Sequence, residues 1–209
     1  VKGLTAAVNG FAEAGITHAQ VVNKMSAVDV QFAVSTEDLI HGLERAGAVA
    51  QGAKVNFDEL MGAITAAQQI TARGGNVIGN SFKTIFTRIQ RRSTINRLEE
   101  LGIAVKDLQG NTLPAMKILK DLAMTYDGLT DATKAAVAEQ VGGVFQINIL
   151  RAAMKDLSRE NSVFARATKI SSQATDEASK KNIALNQTLA ALAAQTGTSI
   201  QQLSESLGK

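Results

Sequence analysis

No cysteine and no tryptophan occur in this chain of 209 residues, and its single proline is Pro114. The missing thiols exclude a disulfide framework and a thiolate metal site, and they leave the redox compartment open. Aromatic residues are few, 4% of the chain, and β-branched residues rarely alternate with polar ones. Both scarcities argue against a β-sandwich or an α/β enzyme. Charge is modest too: a formal +3 with 20% charged residues does not by itself require a nucleic-acid partner. The two histidines, His18 and His41, fall on different helical segments and do not form the paired-ligand spacing of a metal site. Glu99-Glu100 and Asp176-Glu177 are sequence neighbours, which on a helix splays the carboxylates about 100° apart. They read as solvated faces. Gly74, Gly75 and Gly79 form a loose Gly-Gly-x-x-x-Gly with no Gly-Lys-Ser/Thr behind it, so no phosphate loop is expected. No serine sits in a nucleophile elbow. The expectation is a protein without catalytic residues, cofactor or metal.

Membrane signals are weak. Val1-Lys2-Gly3 leads into a mixed helical segment instead of the apolar core of a signal peptide. The missing initiator methionine suggests a piece of a longer chain. The stretch from Asn182 to Ser204 is uncharged and long enough to span a bilayer. Its Asn186, Gln187, Gln195, Gly197, Gln201 and Gln202 are costly in hydrocarbon, so no membrane span is expected.

What the chain does contain is helix-forming residues, with Ala, Leu, Gln, Lys and Glu abundant, and its length suits one large or two small domains. The helices announce themselves by their caps. Thr17 precedes Val21, Val22, Met25 and Val28. Ser35 precedes Leu39, Ile40 and Leu43, with Asp38 in capping-box position, and Asn56 precedes Leu60, Met61 and Ile64, with Glu59 in the same relation. The Ser35 and Asn56 segments share a cap, an acidic first turn, a double apolar pair and a later anchor. The Thr17 segment lacks only the acids. This weak internal repeat predicts consecutive short helices stacked as hairpins, in a cluster and not a solenoid.

Gly74-Gly75-Asn76 breaks the chain, and a helix from about Val77 to Gln90 comes next. At about 100° per residue, Ile78, Phe82, Ile85, Phe86 and Ile89 share one face, either a core face or a partner-binding one. Lys83 and Arg88 lie on its flanks. With Arg91, Arg92 and Arg97 they form the densest basic cluster of the chain, the candidate phosphate contacts. No aromatic residue interleaves with them, and cations near a helix end also answer its dipole. Ser93 is expected to cap a short helix through Ile95, Leu98 and Leu101, stopped by Gly102 at C′. Ile103 to Val105 then reads as a strand, Asp107 to Asn111 as a turn, and Thr112-Leu113 as an antiparallel return. Pro114 belongs at the first position of the next helix, running to Tyr126. Thr130 caps another through Val137 and Val141. After the Gly142-Gly143 break, Val144 to Leu157 is expected to bury Phe145, Ile149, Ala152 and Ala153.

Between Asn161 and Thr196 there is neither proline nor glycine, which predicts one helix of roughly 54 Å. That exceeds the roughly 43 Å diameter of a compact domain of this size, so the helix is expected to protrude as a shaft. Leu185, Leu189 and Leu192 restore a stripe suited to self-association.

The stretch from Gly74 to Leu113 resembles the core of phage tail tape measure proteins. The likeness rests on Gly79, Phe82, Lys83, Thr84 and Arg88, then Leu101-Gly102-Ile103, then Asp107, Gly110, Asn111 and Pro114, in that order and spacing. It extends over roughly residues 15–157. The resemblance implies a virion protein in the lumen or at the tip of a long tail, present in the host cytoplasm during assembly. It implies a helical ruler and template for the tail tube that leaves ahead of the DNA. The implied partners are tail-tube and tail-tip proteins, with three or six copies around the tail axis. The membrane-active and lytic segments that the family often bears are not visible in this stretch. The alternative is a helical DNA-binding or regulatory module using the cluster from Lys83 to Arg97. The fold expectation is all-α: short capped helices over 1–75, a helical core over 76–157 with a hairpin near 103–113, and a long helical shaft with the start of a further helix over 158–209.

Overall fold

The computed structural model describes residues 2–176, together with 180–181, 184–185 and 187–188. Ten α-helices run through the described residues: α1 Lys2–Asn9, α2 His18–Gln31, α3 Thr36–Gly52, α4 Phe57–Thr71, α5 Gly75–Ile89, α6 Arg92–Glu100, α7 Ala115–Tyr126, α8 Asp131–Gly142, α9 Ile147–Leu157 and α10 Val163–Gln173. Every one of them contributes to a single cluster of buried apolar residues that extends from Ala7 to Ala167.

The caps explain where the helices begin. Asn56 Oδ1 accepts the Glu59 N–H while the Glu59 carboxylate accepts the Asn56 N–H, each at 2.9 Å, a reciprocal box that satisfies two end donors. Thr17 makes the same box with Gln20, so an amide does there what an acid does at Asn56. Ser35, Thr130 and Ser162 each accept the N–H three residues on. Asp38 behaves otherwise. Its carboxylate accepts the Gly75 N–H at 2.6 Å and a Gln68 side-chain N–H at 2.7 Å, tying α3 to α4 and to the start of α5. That is the favourable end of the helix for an anion, and it leaves the glycine-rich opening of α5 filled by the protein's own carboxylate.

Glycines set how closely the helices approach. A Cβ on Gly79 would stand 2.7 Å from the Gly42 carbonyl oxygen, so α5 lies backbone to backbone on α3. Gly62 plays that part between α4 and α10, where a Cβ would strike Thr168 Oγ1 and the Phe164 carbonyl. Close approach to α3 is thus the reason for the Gly-Gly-x-x-x-Gly spacing, since a Cβ on Gly75 would strike the Asp38 backbone as well.

Several sequence expectations are corrected. No strand forms among the described residues; the expected hairpin is one antiparallel bridge, Lys106 with Thr112, inside a loop. The Ile103 N–H already returns to Leu98 O at 3.0 Å behind Gly102, and Pro114 ends the other arm, so the ladder has no room to grow. Ser93 is not the cap of α6; Arg91 holds that position without a side-chain bond, and Pro114 is itself the N-cap of α7. Phe145 is not buried but 92% exposed. Gly143, at φ 73°, turns the chain, and α9 starts only at Ile147, so Phe145 is out of phase with Ile149, Ala152 and Ala153. The unbroken helix from Asn161 is not present either: α10 ends at Gln173, Ala174 is extended and Asp176 has φ 54°. The part before that break packs on α4 and α2, where Lys24 Nζ reaches Asp58 at 2.7 Å and Ser171 O at 3.0 Å. Most of the remainder of the expected shaft, with Leu189 and Leu192, lies outside the described residues; Leu185, within them, is exposed.

Candidate functional site

Helix α5 presents two faces with different fates. Ile78, Phe82, Ile85, Phe86 and Ile89 are fully buried, and the Phe82 and Phe86 rings stack at 5.6 Å between centroids. The fold takes up this face completely. The opposite face carries Asn80, Lys83, Thr84, Thr87 and Arg88, which line a surface cleft together with Arg91. The Thr84 and Thr87 hydroxyls donate to the carbonyls of Asn80 and Lys83, at 3.0 and 2.8 Å, and so are turned to their own helix.

The five basic residues do not act as one patch. Arg88 donates through Nε to Gln140 O and through Nη2 to Glu139 O, both at 2.9 Å, and so closes the carbonyl end of α8. A guanidinium there satisfies acceptors the helix leaves open and answers its dipole. Gln140 returns a bond to Ser93 O at 2.8 Å, which holds α8 to the start of α6. Arg97 pairs with Glu100 at 2.9 Å on the surface of α6. Arg92 is exposed and outside the cleft. The structure thus brings together Lys83, Arg88 and Arg91 and separates Arg92 and Arg97 from them.

Beside this cleft lies a feature that sequence reasoning missed. Gly143 rests against Arg88, where a Cβ would stand 3.5 Å from Arg88 Nε. The chain then leaves α8 through Val144 and Phe145, both exposed apolar side chains. The signal was present in Gly142-Gly143, since a glycine pair resets helical phase as well as ending a helix. Asp156 was missed too. It is 1% exposed, and its two oxygens accept the Val163 and Phe164 N–H groups at 2.9 and 2.8 Å, so α9 supplies the anion that starts α10.

One polar cluster has residue types used in catalysis. Ser171 Oγ donates to Asp58 Oδ1, which also accepts Lys24 Nζ. The serine is wholly buried and its proton points at an occupied carboxylate, so the group clips α2, α4 and α10 together. Among the described residues no three His, Cys, Asp or Glu side chains converge as a metal site, and no helix is long and apolar enough to cross a membrane.

Fold and surface together define an all-helical body whose polar groups serve helix ends and helix junctions. Residues 1–143 match the sequence model of the family described as phage-related minor tail protein. The chain belongs to that family, which makes it a structural component of the virion tail. No solved structure matches it.

Proposed function

We propose that this chain is the helical core of a tail tape measure protein. Membership of the minor tail family over residues 1–143 carries the reading. Within that stretch, Gly79 to Arg88, Leu101 to Ile103 and Asp107 to Pro114 stand in the tape-measure order. In this role the protein is a ruler and template for the tail tube. It lies in the tube lumen or at the tip, contacts tube and tip proteins in three or six copies, and leaves ahead of the DNA. A helical chain with a fixed number of residues has a fixed length, and tube rings add until it is covered.

In-frame deletions in the parent gene downstream of this core test the ruler. Tails are expected to shorten by about 1.5 Å for each helical residue removed, in steps of one tube ring. Deletion of the packed core is expected to abolish tails, because a packed body acts as an assembly unit. Unaltered tail length after a long downstream deletion would overturn the ruler.

The alternative, a DNA-binding module, draws on Lys83, Arg88, Arg91, Arg92 and Arg97. It has less support, because Arg88 and Arg97 already hold protein partners. Electrophoretic binding to random DNA at physiological salt, lost in K83E/R91E, is the result that would favour it.

A further inference from the structure

The geometry points to the cleft on α5, with the exposed Val144-Phe145 segment that follows Gly143, as a docking site for an acidic protein segment that carries an apolar side chain. Three observations support it. Lys83 and Arg91 line the cleft with Arg88, and among the described residues neither the Lys83 nor the Arg91 side chain makes an ion pair. The nearest acid on α8, Glu139, gives Arg88 its carbonyl oxygen and not its carboxylate. Phe145 and Val144, 92% and 66% exposed, leave α8 directly beyond Gly143, which lies against Arg88.

Charge complementarity calls for an anionic occupant, since uncompensated cations at the rim of a cleft steer and orient an acidic partner. The exposed Val144-Phe145 pair calls for an anchor, because an aromatic side chain near a polar surface is the usual composition of a protein-binding hot spot. A protein segment supplies both groups. A nucleic-acid strand is disfavoured, because the positive track is short: past the exposed Arg92, Arg97 is held by Glu100 and Lys106 by Glu99. Val144 also adds nothing to base stacking. The cleft, about 390 Å³, holds a few side chains and not a length of backbone. The inference stands whether or not the parent protein measures tail length.

The test uses the full chain and fluorescence anisotropy. The probe is a short labelled peptide in which glutamate pairs alternate with leucines; oligoglutamate, oligothymidylate and phosphatidylserine vesicles are the comparators. The glutamate-leucine peptide is expected to bind best. K83E/R91E is expected to weaken it by roughly tenfold and to gain binding to the matching lysine-leucine peptide. Phe145→Ala is expected to weaken the glutamate-leucine peptide and leave oligoglutamate unchanged. All three substituted side chains are exposed, and an unaltered helical circular dichroism spectrum checks the fold. The proposal is overturned if the glutamate-leucine peptide does not bind, if either variant binds it as the parent does, or if oligothymidylate or vesicles bind more tightly.

Discussion

At the scale of single residues, backbone conformation and charge decide which positions tolerate change. Gly110 has φ 84° with nothing near the position of a Cβ, so a side chain there meets strain and not a clash. Gly110→Val is expected to lower the melting temperature, with a cost of about 1–2 kcal/mol. Gly52 is helical with open space around it, and Gly52→Ala is expected to raise or preserve the midpoint. Thermal unfolding of the two variants side by side checks both signs. Asp38 gives a pH prediction. The Gly75 N–H above all holds its carboxyl below the ordinary aspartate value, with help from Gln68 and Ser35 against some desolvation. A depressed native pKa means that the ionised form stabilises the fold above the unfolded-chain value. That contribution fades as pH falls through the native value. Asp38→Asn is therefore expected to be less stable than the parent at neutral pH, and the gap is expected to narrow in acid below the usual aspartate range. Denaturant titrations across that range read the gap, and a constant gap would contradict it.

At the scale of elements, α10 is informative because it is held at both ends by groups outside itself. Asp156 and Ser162 together satisfy the N–H groups of Val163, Phe164 and Ala165. The Lys24–Asp58–Ser171 clip holds the other end, and Gly62 lets the middle lie close on α4. Removing the buried carboxylate leaves end donors unpaired away from water, a loss of about 1–3 kcal/mol. Asp156→Ala is expected to speed hydrogen exchange across residues 163–173 while α3 and α5 keep their protection. Uniform acceleration over all helices would show that α10 has no local role. The same element shows why the expected helix does not run unbroken past Gln173. Absence of proline and glycine permits a helix but does not compel one, and Ala174 and Asp176 leave helical backbone after the last residue that the core holds.

At the scale of the whole molecule, the buried cluster runs from Ala7 to Ala167, so the helices stand or fall together. Truncation after Asp176 is expected to keep the helical signal and a single unfolding transition. Truncation after Leu157 removes α10, uncovers the Gly62 surface of α4, and is expected to lower the midpoint sharply. Calorimetry on both truncations distinguishes a shared core from an appended helix.

The capping residues Thr17, Ser35, Asn56 and Thr130, the stop at Gly102, the turn at Gly110 and the apolar face from Ile78 to Ile89 were legible because each depends on neighbours within a few positions. Local hydrogen bonds and helical period are properties of the sequence itself. Other features depended on partners far along the chain. Asp38 looked like half of a capping box and instead meets Gly75; the bonds from Arg88 to the carbonyl end of α8, 51 and 52 residues away, had no signal near Arg88 in the sequence. The hairpin shrank to one bridge because its edges were already committed to α6 and α7, and Phe145 came to the surface because Gly143 shifted the helical phase of α9. The sequence by itself determined a helical chain and those caps and stops that rest on near neighbours. The packed structure alone decided which polar groups are used up inside the fold and which side chains, as at Lys83, Arg91 and Phe145, are left facing outward, because a contact between distant residues exists only once the helices are packed.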